Sequence, residues 1–246
     1  MPRYSTTTSI FMLSTIALLA LSLAACGEDE GPAGDPPADD PGKPVGIRLF
    51  QNLEGLSGDL NVVFRGQGDN NIAHDGIAAG QATEYLAIPP GIYTVIFFDA
   101  GTNQPLADLT IDAFNVEATT TRTLILSNDE RGQARAHIIP DELTAPPENS
   151  ARLRFLNQAK APGVDIYNKA DGIRHATAIK YGQNTTYFDL PGAPYDFDVF
   201  AENTVTDPLL TLNQLPLLPA HVYSVILTGS AEDGTLSVVQ LIDTTF

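Results

Sequence analysis

The sequence carries one block of residues twice, about 102 positions apart, and this repeat limits the fold more than any other feature. Residues 80–89 read GQATEYLAIP, and residues 182–191 read GQNTTYFDLP. The match continues further along the chain, where LILS at 124–127 resembles VILT at 225–228. A period of this length is too long for the stacked units of a solenoid. We therefore interpret the chain as two tandem copies of one domain.

Both copies consist of short apolar runs rich in Val, Ile, Thr, Tyr and Phe, separated by turn residues. These residue types favour strands, and no long segment keeps the periodicity of a helix. The pattern predicts strands at residues 46–51, 60–64, 83–88, 93–98, 106–111, 121–126 and 134–139, then at 151–156, 164–167, 185–190, 195–201, 209–212, 222–227 and 236–242. We expect an all-β fold of two tandem antiparallel β-sandwich domains, immunoglobulin-like in architecture.

The N-terminus predicts export and membrane attachment. An apolar run at 10–23 follows Arg3 and ends in LAAC at 23–26, which contains the only cysteine, Cys26. The run is short for a membrane span, and small residues precede its end, as a cleavage site requires. The LAAC quartet resembles the lipobox of bacterial lipoproteins. That resemblance implies cleavage before Cys26 and a lipid anchor on its thiol and amino group, which together hold a protein durably at a membrane.

Composition shifts divide the chain further. Gly27 follows the cysteine, and by resemblance to lipoprotein sorting the absence of Asp there favours the outer membrane over the inner one. Acidic residues, Pro and Gly then keep the chain extended and solvated. The predicted segments are a signal peptide at 1–25, a lipidated cysteine and acidic tether at 26–44, a first β-sandwich at 45–142, a linker at 143–150 and a second β-sandwich at 151–246.

Charge and cysteine content exclude several classes of function. The chain has 30 acidic and 13 basic side chains, a formal net charge of −17. Such a chain repels phosphate backbones, so we expect no nucleic-acid partner. One cysteine can form neither an intrachain disulfide nor a cysteine-based metal site.

The second copy resembles a bacterial family of domains of unknown function, number 4397. The matching stretches are ARLRFLN at 151–157, VDIY at 164–167, the block from 181 to 191 and YSVILTG at 223–229. The first copy keeps IRLF at 47–50 and the block from 80 to 93, but has LNVV at 60–63 in place of VDIY, and the second copy has Ala193 where the family usually has Gly. The resemblance implies an exported β-sandwich and brings no established activity.

No catalytic motif stands out. The sequence lacks a nucleophile elbow, a zinc-protease HExxH motif, a phosphate-binding glycine loop and a calcium-binding loop. We therefore predict a protein that is not an enzyme and uses no cofactor or metal. Tyr85 and Tyr187 recur before a proline turn, so we expect buried hydroxyls that close a backbone corner, with ligand contact as the alternative. Asp165 is a further candidate for a ligand-binding or structural role.

These observations predict an envelope lipoprotein that acts as a binding or structural module. Its partners would be the membrane, through the lipid, and a protein or polysaccharide of the envelope. One alternative is an envelope hydrolase whose carboxylates, Asp165, Asp189 or Asp198, converge between the domains. Another is an adhesin-like module stiffened by calcium, for which the acidic composition leaves room.

Overall fold

The computed structural model describes residues 46–68, 70–119 and 121–246. Within these ranges the chain forms β-strands and one short 3-10 turn, Ala107–Leu109. No helix in them is long and apolar enough to cross a membrane. The predicted signal peptide, Cys26 and the acidic tether lie outside the described residues.

The first copy folds into two packed sheets, whose strands are numbered in chain order. The sheet that faces the other copy is here called the inner sheet, and the sheet on the far side of the core is called the outer sheet. The inner sheet contains, in spatial order, β4 (Gln81–Ala82), β1 (Gly46–Asn52), β8 (Thr121–Asn128) and β9 (Ala134–Pro140). The outer sheet contains β3 (Asn71–Ile77), β2 (Leu60–Arg65), β5 (Gly91–Asp99) and β6 (Gln104–Pro105), with β7 (Ile111–Val116) also paired to β5. The two sheets enclose a hydrophobic core of their own.

The second copy repeats this arrangement. Its inner sheet contains β13 (Phe188–Pro191), β10 (Ser150–Asn157), β16 (His221–Thr228) and β17 (Ser237–Thr245). Its outer sheet contains β12 (Arg174–Ile179), β11 (Val164–Asn168), β14 (Ala193–Ala201) and β15 (Leu210–Leu217). A second core lies between them. The all-β fold and the tandem β-sandwiches predicted from the repeat are confirmed.

Each inner sheet contains one parallel pair, which the expectation of purely antiparallel sheets did not include. β1 runs parallel to β8, and β10 runs parallel to β16. Parallel neighbours need a long connection between them, and here the whole outer sheet supplies it. The other strand pairs in the described ranges are antiparallel.

The two inner sheets pack against each other through a third apolar cluster. Along β1, Ile47 and Leu49 point into the first core, while Arg48 and Phe50 lie on the opposite face. Phe50 meets a set of residues drawn from both copies, namely Ile125, Ile139, Leu156 and Ile226. The sheets therefore stack as outer, inner, inner and outer, and the described residues belong to one compact unit.

Three predicted strands are wrong in position. Residues 83–85 form no strand and Leu86 makes only an isolated bridge to Ile47, because the segment follows the edge of β1 with intermittent bonds, such as that from the Thr83 N–H to the Leu49 carbonyl oxygen, rather than with continuous pairing. Residues 106–111 form the 3-10 turn, which buries Leu109, and the strand begins only at Ile111. In the second copy the predicted strand at 185–190 begins only at Phe188.

Two strands of six or more residues were missed in the sequence. β3 and β12 lie at the edges of the outer sheets, and both are largely exposed or half-buried. Edge strands of this kind need few apolar residues, so their sequences do not show the alternation that marks the inner strands.

Candidate functional site at the interface between the sandwiches

A buried charged cluster lies at one end of the interface between the inner sheets. Arg48 on β1 and Arg154 on β10 occupy equivalent places in the two copies. Arg48 Nη2 lies 2.5 Å from Asp243 Oδ1 of the second sandwich. Arg154 pairs in the same way with Asp141, which follows β9 of the first sandwich. Each arginine thus reaches across the interface to the aspartate of the other copy.

A hydroxyl side chain links each arginine to the aspartate of its own copy. Arg48 Nη2 donates to Thr123 Oγ1 at 2.9 Å, and Thr123 Oγ1 donates to Asp141 Oδ2 at 2.8 Å. In the second copy, Ser224 Oγ accepts from the equivalent arginine at 2.9 Å and donates to Asp243 Oδ2 at 2.8 Å. The contacts of one half therefore recur in the other, as in the two-fold interface of a homodimer.

The repeated tyrosines complete the cluster. The Tyr85 hydroxyl donates to Asp141 Oδ2 at 2.8 Å, and the Tyr187 hydroxyl donates to Asp243 Oδ2 at 2.9 Å. The guanidinium of Arg48 lies 4.8 Å from the centre of the Tyr85 ring, and that of Arg154 lies 4.7 Å from the Tyr187 ring. These distances suit a cation–π interaction. Both tyrosines are therefore structural parts of the interface.

The corner contact that was expected of Tyr85 and Tyr187 is made by a different pair. Tyr93 donates its hydroxyl to the carbonyl oxygen of Pro89 at 2.8 Å, and Tyr195 donates to that of Pro191 at 3.0 Å. Each of these bonds spans four residues and closes the proline turn before a strand. The repeat thus contains two tyrosine positions with different roles. One lies within the repeated block and binds at the interface, and the other lies four residues after the block and closes the corner.

Burial and pairing fix the protonation of the cluster. Arg154 is 1% exposed and Arg48 is 3% exposed. Burial alone would lower the pKa of Arg48, but the charge of Asp243 and its neighbours raises that pKa overall. Burial raises the pKa of Tyr85 and of Tyr187 above the usual range for a phenol. Around neutral pH the arginines are charged and the tyrosines are neutral donors. These donors are bonded to acceptors within the cluster itself.

Asp165, the third candidate, holds a bulge in the outer sheet. Its Oδ1 accepts the backbone N–H of Ala178 at 2.7 Å, and its Oδ2 accepts that of Asn203 at 3.3 Å. Ala178 has a positive φ of 49°. In the first copy, Asn61 accepts from Gly76 at the equivalent place, at 3.0 Å. A local structural contact therefore occupies the side chain of Asp165.

Two of the carboxylates of the hydrolase alternative, Asp165 and Asp198, lie on the paired strands β11 and β14, Asp189 lies in the other sheet, and each has partners of its own. Asp189 belongs to the inner sheet and forms a two-pronged ion pair with Arg152 at 2.8 and 3.0 Å. Asp165 and Asp198 belong to the outer sheet, where Asp198 accepts from Thr211 at 2.6 Å. Nor do the described residues contain a group of three or more His, Cys, Asp or Glu side chains arranged to hold a metal ion.

No expectation from the sequence concerned the four charged residues of the cluster, Arg48, Arg154, Asp141 and Asp243, although a signal was present. Each arginine stands inside an apolar run, IRLF or LRFL, at the same place in the two copies. The neighbouring strands β8 and β16 contain three consecutive apolar residues each, which indicates burial on both faces. Together these patterns could have predicted that the inner sheets face each other.

Comparison with solved structures finds similar chains at low identity. A candidate cell adhesion protein from Bacteroides ovatus has 10% identity and a TM-score of 0.23, and the match covers 83% of this chain and 98% of that one. Another from Parabacteroides distasonis has 7% identity and a TM-score of 0.19, with 82% and 97% covered. The Bacillus anthracis TIE protein has 11% identity and a TM-score of 0.21, with 75% of this chain but 33% of that protein covered.

Comparison with curated proteins finds no match to this sequence. A family model does match, under the description "Domain of unknown function (DUF4397)", once over residues 57–167 and again over 159–246. The two matches together span most of the chain and agree with the two copies seen in the sequence and in the sheets. The chain belongs to the DUF4397 family.

Proposed function

We propose that this protein is a non-enzymatic binding module in which the two sandwiches act as one rigid body, held at the cell envelope by a lipid on Cys26. The observation that carries the proposal is the reciprocal pairing of Arg48 with Asp243 and of Arg154 with Asp141. These pairs tie each sandwich to the other at two points. The loops of both copies then form one surface of fixed shape.

The buried charges favour one fixed orientation of the two sandwiches. A buried charge that loses its partner is strongly destabilising. Sliding one sheet over the other would leave the buried charges of the interface without their partners. Buried polar pairs of this kind also specify one arrangement among several of similar apolar contact, as polar residues do in coiled coils. A surface that is already ordered loses less entropy on binding, which favours affinity.

The partner we propose is a protein or polysaccharide of the envelope. The net charge of −17 disfavours nucleic acids. The carboxylates considered for hydrolysis are engaged in structural contacts, as the ion pair of Asp189 with Arg152 illustrates. A module of this kind needs no reactive group, because shape and loop chemistry are sufficient for recognition.

The envelope role is tested by capture with the full chain as bait. We expect a partner to be enriched from envelope extract by the wild-type protein and lost with an Arg48→Met, Arg154→Met double variant, since both copies shape the surface. An Arg152→Met variant, changed at the less buried pair, should keep the partner. No enrichment by the wild-type chain would contradict the proposal. So would turnover of a glycan, peptide or ester that a single Asp→Asn change abolishes.

The anchor is tested separately, by mass spectrometry and detergent partitioning of the native protein beside a Cys26→Ala variant. We expect acyl mass on the native protein and its transfer to the detergent phase, while the variant stays unprocessed or soluble. Identical behaviour of the two proteins, without lipid mass, would remove the anchor and leave the binding module to be judged by the capture experiment.

A further inference from the structure

The interface changes character along its length. The face that β8 presents to the other sandwich carries Thr123 in the charged cluster, then Ile125 in the apolar cluster, then Ser127. The face of the second copy follows the same order with Arg154, Leu156 and, just beyond β10, Gln158. The interface therefore has a charged end, an apolar middle and a polar end.

A cleft of about 530 Å³ opens between the sandwiches at the polar end. The first sandwich contributes Arg131 and Arg135 from the turn between β8 and β9 and from β9, and the second contributes Lys180 and Tyr181 from the loop after β12. The volume lies within the range of about 300–1,000 Å³ that is common for small-molecule sites. A ligand there would touch both sandwiches at once.

The cleft gathers unpaired cations in a strongly acidic protein. Arg135 is neutralised, since its Nε lies 3.0 Å from Asp129 Oδ2. The Asp129 carboxylate also accepts backbone N–H groups of its own turn, and these bonds, first that of Gln133, hold its pKa below the usual range. In the part of the chain that the structure describes, the side chains of Arg131 and Lys180 make no hydrogen bond or ion pair. They remain available to an anion, beside the carboxylate of Glu130.

The Tyr181 side chain, which lines the cleft, is fixed by contacts with buried neighbours. The Tyr181 hydroxyl lies 2.7 Å from Ser127 Oγ, which in turn donates to Gln158 Oε1 at 2.8 Å. The Ser127 hydroxyl has one proton, which it donates to Gln158, so the Tyr181 hydroxyl is the donor in its bond with Ser127. The His137 ring packs edge-on against Tyr181, with centroids 5.2 Å apart. Gln158 is 1% exposed, and its Nε2 has no partner among the described residues.

The repeat provides an internal comparison. Alignment of the copies places Ala78 and Ala79 at the positions of Lys180 and Tyr181. The strand register places Ser237 at the position of Arg135, because Thr228 pairs with Ser237 as Ser127 pairs with Arg135. One flank of the interface thus has cations and a phenol where the other has small residues. The fold alone does not require these side chains in the cleft.

We propose that this cleft binds a sugar that carries a carboxylate, such as a uronic acid unit of a glycan, since the net charge of −17 repels a polyanion but the two local cations can bind a single carboxylate. Arg131 and Lys180 bind the carboxylate through charge-assisted hydrogen bonds, and the fixed Tyr181 ring contacts a face of the sugar. The inference rests on the proposed function as a binding module and narrows its partner to a glycan that carries a carboxylate.

The test is calorimetric titration of the full chain in detergent with digalacturonate, with neutral galactobiose and inorganic phosphate as comparisons. We expect digalacturonate to bind and the neutral sugar not to bind. An Arg131→Ala, Lys180→Ala double variant should weaken binding by about tenfold or more, since it removes two charge-assisted contacts. The matched control is Arg65→Ala with Lys169→Ala, which removes the same charge from exposed positions outside the cleft and should leave the affinity unchanged.

Three results would overturn the inference. They are no binding of digalacturonate, equal weakening by the control variant, and phosphate binding as tight as that of digalacturonate, which would indicate a general anion site. A Glu130→Gln variant adds an independent arm, since loss of that negative charge should tighten binding. If digalacturonate fails while envelope capture still enriches a partner, the sugar assignment falls and the proposed binding function remains.

Discussion

Arg48 and Arg154 are long cationic side chains in strands whose neighbours are almost all apolar. Such a residue is tolerated only when its charge is paired and its N–H groups are bonded. Arg154 meets both conditions, through the carboxylate of Asp141, the hydroxyl of Ser224 and the carbonyl oxygen of Pro140. At the residue scale the interface is therefore sensitive to any change that removes one member of the cluster.

The first prediction compares two arginines on the same strand and the same face. Arg154→Met leaves Asp141 buried without its cation, so we expect a loss of about 3–5 kcal/mol in the free energy of unfolding. Arg152→Met breaks the more exposed pair with Asp189 and should cost about 1 kcal/mol or less. Urea unfolding of both variants checks this, and equal losses would show that burial of the pair is unimportant.

The second prediction separates the two kinds of tyrosine. Tyr187→Phe removes a donor from the buried carboxylate of Asp243, and we expect a loss of about 1–3 kcal/mol. Tyr195→Phe removes a bond to an exposed carbonyl, so its cost should be about 1 kcal/mol or less. Thermal unfolding of the two variants, measured side by side, would contradict the assignment if the corner tyrosine proved the more important.

The third prediction concerns pH. Burial, and then the charge of Arg135, lowers the pKa of His137 from its ordinary value of 6.5. The unfolded chain therefore takes up this proton before the folded one, so the stabilisation is complete above about pH 6.5 and is lost as the pH falls towards the folded pKa. His175, whose pKa burial also lowers, adds a change of the same sign.

The variant His137→Val isolates this contribution, because the second copy has Val239 at the equivalent place. We expect its free energy of unfolding to fall less than that of the wild type between about pH 7.5 and pH 5.5. Urea unfolding at the two pH values measures the difference. An unchanged decline in the variant would show that His137 does not titrate as its burial implies.

At the element scale, the strands that could be predicted from sequence are those that face a core. β1, β5, β8 and β16 have apolar residues at strand spacing, and their positions follow from that pattern. The edge strand β3 could not be predicted in this way, because one side of it faces solvent and its sequence contains Asn, His, Asp and Gly.

The interface itself was only partly accessible to sequence reasoning. The repetition of Tyr85 and Tyr187 indicated a shared structural duty, but not their partners, because Asp141 lies 56 residues beyond Tyr85. Contacts that distant along the chain have no local sequence signal. The cation–π contacts of these tyrosines likewise depend on the packing of separate elements.

The fourth prediction tests the loops that lead into β4 and β13. Gly80 and Gly182 are equivalent and have positive φ values of 73° and 77°. A Cβ at Gly80 meets no atom within 4 Å, whereas one at Gly182 would lie 2.5 Å from His137 Cε1. Gly80→Ala should cost about 1–2 kcal/mol for the left-handed backbone. Gly182→Ala should cost about 1–3 kcal/mol more, since it also displaces His137. Chemical unfolding that finds equal costs would contradict this packing.

At the scale of the whole molecule, the repeated domains form an internal counterpart of a two-fold dimer. The arginine of each copy pairs with the aspartate of the other copy. Arg48 binds Asp243, and the equivalent Arg154 binds Asp141, as equivalent residues do across a two-fold interface. The sequence reveals the repeat and the two sandwiches. It does not reveal that they share a buried face, since a flexible pair would have the same period.

Differential scanning calorimetry of the full chain tests the rigid pair most directly. If the inner sheets and the charged cluster join the sandwiches into one cooperative unit, the protein should unfold in a single transition whose calorimetric and van 't Hoff enthalpies agree. The Arg48→Met, Arg154→Met double variant should then unfold at a lower temperature, in a broader or divided transition. Two separate transitions in the wild-type protein would contradict the account, because each sandwich would then unfold without regard to the other.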